Sequence, residues 1–217
     1  MNSATELTRR TVHIGAQHLP GQLTIPAQAD GLVVFAHGSG SSRLSPRNNA
    51  VAEALNGRGL GTLLFDLLTD EEARDRANVF DIPLLGGRVA EAVRWALENA
   101  DDCPPIGLFG ASTGAAAALV AAAEMPGSIA AVVSRGGRPD LAESVLDRVQ
   151  APTLFIVGGE DRDVLALNQR ALQTLAGEKL LRVVPGATHL FEEPGALEQV
   201  IEHAGDWFET HLPRAHQ

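Results

Sequence analysis

The pentapeptide Gly110-Ala111-Ser112-Thr113-Gly114 constrains this chain more than any other stretch. An apolar run over 105–109 precedes it and an alanine-rich run over 115–125 follows it. That order implies a buried strand, a tight serine-bearing turn and a helix. In so sharp a turn the strand and helix backbones must pass almost in contact. The residues two before and two after the serine must therefore be very small, and both are glycine. The turn lifts the serine hydroxyl above the end of the strand, and the helix N-terminus favours negative charge there. A small-residue turn with an inert serine would read the same over five residues, so the rest of the chain has to decide.

Apolar runs of strand length recur over 31–36, 61–67, 129–134 and 152–157, and 179–184 also reads as a strand. Helical spacing falls between them, over 46–58, 82–100, 141–149 and 164–176, and closes the chain over 197–212. Such alternation predicts an α/β fold, with a mostly parallel sheet and helices on both faces. Before it, 11–17 and 22–26 read as an N-terminal antiparallel hairpin turned at Leu19-Pro20-Gly21. The polar, acidic stretch over 69–78 is expected on the surface. Too few residues separate the strands at 129–134 and 152–157 for a lid domain, so the site should be open. One domain is expected over 1–217, with 1–10 and 213–217 as flexible tails.

Composition excludes several classes. The net charge of −10 disfavours a nucleic-acid partner. Aromatic residues make up 4% and tyrosine is absent, so a cavity would be lined by small and aliphatic side chains. The sequence has no apolar run of membrane-spanning length and its polar start lacks a signal-peptide core, so no membrane insertion is expected. The single cysteine, Cys103, cannot form an intramolecular disulfide and suits a cytoplasmic location. It lies in the acidic loop over 101–105 and reads as a bystander thiol. Metal-ligand spacings and phosphate-binding glycine motifs are absent, so neither a metal nor a cofactor is expected.

Four unusual loops follow predicted strands and should converge at one edge of the sheet. They carry His37-Gly38-Ser39-Gly40, Ser112, Asp161 and His189. A serine hydroxyl needs a base within hydrogen-bond reach, and His189 is the candidate. The base needs an anionic partner, for which Asp161 is the candidate and Asp163 the rival. An oxyanion would find donors in the N–H of Thr113 and the N–H of Ser39, with Gly38 and Gly40 letting that loop turn inward. His37 is read as a loop-structuring residue. Arg135 and Arg138 follow a strand at the same edge. Either could hold an anionic substrate group or simply pair with nearby acids.

Together, His37-Gly38-Ser39-Gly40-Ser41-Ser42, Gly110-Ala111-Ser112-Thr113-Gly114, Gly158-Gly159-Glu160-Asp161 and Gly186-Ala187-Thr188-His189 resemble the α/β-hydrolase superfamily. Within it the chain looks like a small dienelactone-hydrolase-like serine hydrolase, across about residues 10–212. The resemblance implies Asp161 as the acid, because Gly-x-x-Asp after this strand is the usual acid position. It also implies cleavage of carboxylic esters of small acids through an acyl-enzyme on Ser112, with His189 as general base and acid. Dienelactone hydrolases proper use a cysteine nucleophile, so the serine here points to ordinary esters. Acyl transfer, thioester or amide cleavage, and a non-catalytic ligand-binding role remain alternatives. The expected partner is a small-molecule ester, and the chain is expected to be a monomer or a homodimer.

Overall fold

A computed structural model describes residues 7–99 and 104–212. The strands are β1 (Leu7–Ile14), β2 (Leu19–Pro26), β3 (Leu32–Ala36), β4 (Gly61–Phe65), β5 (Ile106–Ala111), β6 (Ile129–Arg135), β7 (Thr153–Gly158) and β8 (Lys179–Val184). They form one sheet in the order β1-β2-β4-β3-β5-β6-β7-β8. β1 and β2 pair antiparallel, β2 and β4 likewise, and every other pairing is parallel. This is the expected α/β architecture with its N-terminal antiparallel pair.

The helices are α1 (Pro46–Gly57), α2 (Arg76–Val79), α3 (Ile82–Asn99), α4 (Thr113–Glu124), α5 (Arg162–Thr174) and α6 (Ala196–His211). A 3-10 segment, Pro139–Arg148, stands between β6 and β7 in place of a lid. Apolar side chains of α3, α4, this segment and α5 fill one face of the sheet. Those of α1 and α6 fill the other, around the tilted pair Phe35 and Phe109 with ring centroids 4.9 Å apart. Among the described residues, no helix is long and apolar enough to cross a membrane.

The hairpin differs from its expected form. Its turn lies over 15–18, with Gly15 and His18 at positive φ, and Leu19-Pro20-Gly21 belongs to β2. The pairing of Ile14 with Leu19, both fully buried, decides this register; a turn at Leu19 would expose it. Residues 7–10 belong to β1 and not to a tail. Their side chains are exposed on an edge strand, so no apolar pattern marks them. The expectations for 1–6, 213–217 and Cys103 lie outside the described residues.

α4 is buried on every side from Thr113 to Ala123. A helix that is apolar all round belongs in the interior, and alanine lets it sit close to its neighbours. At its start Ser112 adopts φ 53 and ψ −120, a strained conformation for a non-glycine residue. Backbone bonds pin it on both sides: its N–H donates to the Arg135 carbonyl at 3.1 Å, and its carbonyl accepts from Arg138 N–H at 3.2 Å. The turn leaves no room for Cβ atoms beside it. One on Gly110 would lie 2.4 Å from Ala115 Cα, and one on Gly114 would lie 2.2 Å from the Ala36 carbonyl oxygen. Both obstacles are backbone and cannot rotate away. Gly114→Ala should therefore cost about 1–3 kcal/mol or more, as overpacking does, seen as a lowered midpoint in denaturant unfolding. A change within about 0.5 kcal/mol would contradict this packing.

Candidate active site

β5, β7 and β8 deliver their loops to the same edge of the sheet. The β7 and β8 loops are joined backbone to backbone: Gly159 N–H donates to Val184 O at 2.9 Å and Glu160 N–H to Ala187 O at 3.0 Å. Gly158 permits this approach, since a Cβ there would lie 2.3 Å from Ala187 O. This places Asp161, the N-cap of α5, beside His189. His189 Nδ1 lies 2.6 Å from Asp161 Oδ2, and His189 Nε2 lies 3.3 Å from Ser112 Oγ. An ionised carboxylate only accepts, so Nδ1 carries the proton and Nε2 turns its lone pair to the serine hydroxyl. Asp163, the rival acid, is exposed in the first turn of α5. Phe191, buried two residues after His189 at φ 55, closes that loop against the core.

The expected oxyanion donors have different surroundings. Among the described residues, the Thr113 N–H makes no hydrogen bond to a protein acceptor. The Ser39 N–H is already engaged: it donates to Thr113 Oγ1 at 2.8 Å. Gly38 packs against the serine itself, and a Cβ on it would lie 3.2 Å from Ser112 Cβ.

The arginines also occupy settled places. Arg138 makes a two-pronged ion pair with Asp140, at 2.8 and 2.7 Å, which raises its pKa further. Arg135 is buried beside Phe191, its guanidinium carbon 5.8 Å from the ring centroid. It donates to Asn48 Oδ1 at 3.1 Å. Desolvation, with the nearby Arg47 charge, lowers its pKa to about 10. Among the described residues no carboxylate pairs with it.

A cavity of about 150 Å³ adjoins Thr113 and the Gly38-to-Ser42 loop. Its far wall includes Leu68, Asp70, Ala73 and Val79. The acidic stretch lies on the surface as expected, and two of its residues, Asp70 and Ala73, also line this hollow. Charge and polarity hide this in the sequence; the few small and apolar residues among the acids are the only signal. His37 ties the two walls together. Its Nε2 accepts from Leu67 N–H at 3.1 Å and its Nδ1 faces Gly38 O at 2.9 Å, so the ring is neutral with the proton on Nδ1. Arg43 binds Asp66 through both its backbone N–H and its guanidinium, anchoring the same loop. Among the described residues, no cluster of His, Cys, Asp and Glu could hold a metal ion.

This strand order, with these three side chains at the carboxyl edge, defines an α/β-hydrolase fold. The chain belongs to the dienelactone hydrolase family, whose model matches residues 21–212. It is similar to the crystal structure of a dienelactone hydrolase from Anabaena variabilis ATCC 29413: TM-score 0.90, 53% identity, 96% of this chain and 99% of that one. Est1E from Butyrivibrio proteoclasticus shares the fold, at TM-score 0.78 and 17% identity over 93% of this chain and 98% of that one. A Mycobacterium tuberculosis (strain H37Rv) protein named "Putative phosphoribosyl transferase" is 60% identical over 199 residues, covering 91% of this chain and 45% of that protein. The chain thus spans about half the length of the curated relatives it matches.

Burial is the largest influence on His37 and lowers its pKa from the usual 6.5. Below that value the unfolded chain takes up a proton that the folded chain resists, so stability falls as pH drops through the window just below 6.5. The denaturation midpoint of the wild type should therefore decrease between about pH 7.5 and pH 5.5. His37→Gln, whose amide oxygen can accept from Leu67 N–H, should show a shallower decrease; equal slopes would overturn the assignment.

Proposed function

We propose that the protein is a serine hydrolase that cleaves carboxylic esters of small acids. The observation that carries this reading is the hydrogen-bonded chain from Ser112 through His189 to Asp161. Ser112 Oγ attacks the ester carbonyl carbon while His189 Nε2 takes the hydroxyl proton. The tetrahedral intermediate collapses, the C–O bond to the alcohol breaks, and His189 returns the proton to the departing oxygen. Water, deprotonated by the same imidazole, then attacks the acyl-enzyme and releases the acid with free Ser112. Asp161 holds the tautomer and offsets the charge on His189 in both half-reactions. The first oxyanion donor is Thr113 N–H, at the N-terminus of α4, where backbone dipoles favour negative charge.

The cavity beside Thr113 is the size of one that holds a benzene-sized group. It therefore suits a short acyl chain or a single ring. Family membership and the likeness to a dienelactone hydrolase support hydrolase chemistry. The phosphoribosyl transferase name belongs to proteins of which this chain matches less than half, and the serine–imidazole–carboxylate arrangement here is that of acyl transfer. The arginines give little support to an anionic substrate. Arg138 is paired with Asp140, and Arg135 is bonded to Asn48 within the protein.

Ser112→Ala should lower hydrolysis of p-nitrophenyl esters by about 10⁴-fold or more and abolish labelling by a fluorophosphonate probe. Retention of wild-type rates would end the proposal. In a series of acyl lengths, kcat/KM should peak at short chains, and Val79→Trp should move the peak to shorter acids. Thioester and alcohol-capture assays on the same preparations distinguish thioesterase and acyltransferase activity.

A further inference from the structure

We propose that the side-chain hydroxyl of Thr113 is the second oxyanion donor, acting as a relay between Ser39 and the substrate. The proposal rests on the serine-hydrolase reading above. It starts from how the hydroxyl is placed. Thr113 Oγ1 accepts the Ser39 N–H at 2.8 Å, so the backbone donor expected to face the substrate is turned onto this oxygen. A hydroxyl can accept and donate at once. Among the described residues the Thr113 hydroxyl donates to no acceptor, although the residue is only 4% exposed. A buried O–H whose proton has no protein acceptor calls for one.

The location supplies that acceptor during the reaction. Thr113 is the residue after the nucleophile and lines the substrate-sized cavity together with Gly38 and Ser39. Its Oγ1 is three bonds from its own backbone N–H, so both donors of the one residue serve the same small region. As the carbonyl oxygen gains charge, it receives the backbone N–H and the O–H of Thr113. Accepting from Ser39 polarises the hydroxyl and makes it a better donor. The Ser39 N–H thus acts on the oxyanion through Thr113, and no bond has to break when substrate arrives.

The same contact could instead mean that the hydroxyl blocks Ser39 and must move aside. The two readings differ in sign. Thr113→Val keeps the shape of the side chain and removes the hydroxyl. If the hydroxyl is a donor, kcat falls by about 10²-fold, as for the loss of one oxyanion contact, with KM little changed. If it is a block, Ser39 N–H is released and kcat stays level or rises, which overturns the proposal. Thr113→Ser should hold kcat within about three-fold of wild type, because the relay survives.

A trifluoromethyl ketone, which forms a serine hemiketal with an oxyanion, gives a second readout. Its Ki should rise in Thr113→Val by the factor that kcat/KM falls. A slower enzyme with an unchanged Ki would also overturn the proposal, because the loss would then lie elsewhere than at the oxyanion. Labelling of Thr113→Val by a fluorophosphonate probe shows that its site is folded. Ser112→Ala is run alongside. If it retains activity, the serine-hydrolase reading has failed. If it is inactive while Thr113→Val is as fast as wild type, only the relay has failed.

Discussion

The rest of the site depends on one close approach, that of the start of α4 to the end of β3. The α-carbon of Gly114 lies against the carbonyls of Ala36 and His37, where a Cβ would come within 2.2 and 2.4 Å of their oxygens. This contact puts the loop after β3 next to the serine turn, and with it Gly38, Ser39 and the roof of the cavity. Beside it the backbone at Ser112 takes a positive φ, a conformation that costs on the order of 1–3 kcal/mol and persists only when its neighbours over-determine it. The neighbours do so through the Arg135 carbonyl at the end of β6 and the Arg138 N–H in the loop after it. The strain aims Oγ out of the sheet, where an imidazole can reach it.

His189 and Asp161, the proposed base and its acid partner, are placed by a different device. β7 and β8 are parallel neighbours, and two hydrogen bonds join their loops beyond the end of the ladder. Asp161 and His189 are therefore tied to each other more directly than to Ser112. That arrangement matches the distances: the bond within the pair is 2.6 Å, and the contact between the pair and the serine is 3.3 Å. Serine–histidine contacts of this kind tighten when substrate occupies the site. Arg135 and Phe191 bridge the two parts, since the arginine belongs to β6 beside the serine and the phenylalanine to the histidine loop.

Much of this was legible in the sequence because steric requirements leave few residue choices. Gly110 and Gly114 could be read as a close crossing of backbones, and the crossing is there. The apolar run over 31–36 became β3 with one residue lost at its start, and the strand read over 179–184 is β8 with the same ends. The misread parts are those whose signal lies outside the local pattern. β1 exposes nearly every side chain, and its pairing with β2 depends on Ile14 meeting Leu19. The stretch over 69–78 lies on the surface as its polarity implies; what polarity does not show is that Asp70 and Ala73 also line the cavity, that Asp75 caps α2 and that Glu72 pairs with Arg88 at 2.8 Å. Thr113 was read only for its backbone, because spacing cannot show that its hydroxyl reaches across 74 positions to Ser39.

Charge at this edge of the sheet is distributed unevenly, and the unevenness has a direction. Arg138 is neutralised by Asp140, and Arg43 by Asp66. Arg135 stands apart, with an amide at Asn48 where a carboxylate would have cancelled its charge. Burying a cation against a neutral acceptor is costly, and its pKa of about 10 expresses that cost without removing the charge near neutral pH. An uncompensated cation at the end of β6 raises the potential on the side from which the Ser112 backbone is held. Such a potential would favour the negative oxygen of the proposed reaction near Thr113. The dipole of α4 acts in the same sense on that oxygen. Asp161, 2.6 Å from the imidazole, would face the positive charge that forms there in the proposed reaction. In the proposed reaction, a carboxylate beside the imidazole and a helix N-terminus at Thr113 would stabilise the imidazolium and the oxyanion together.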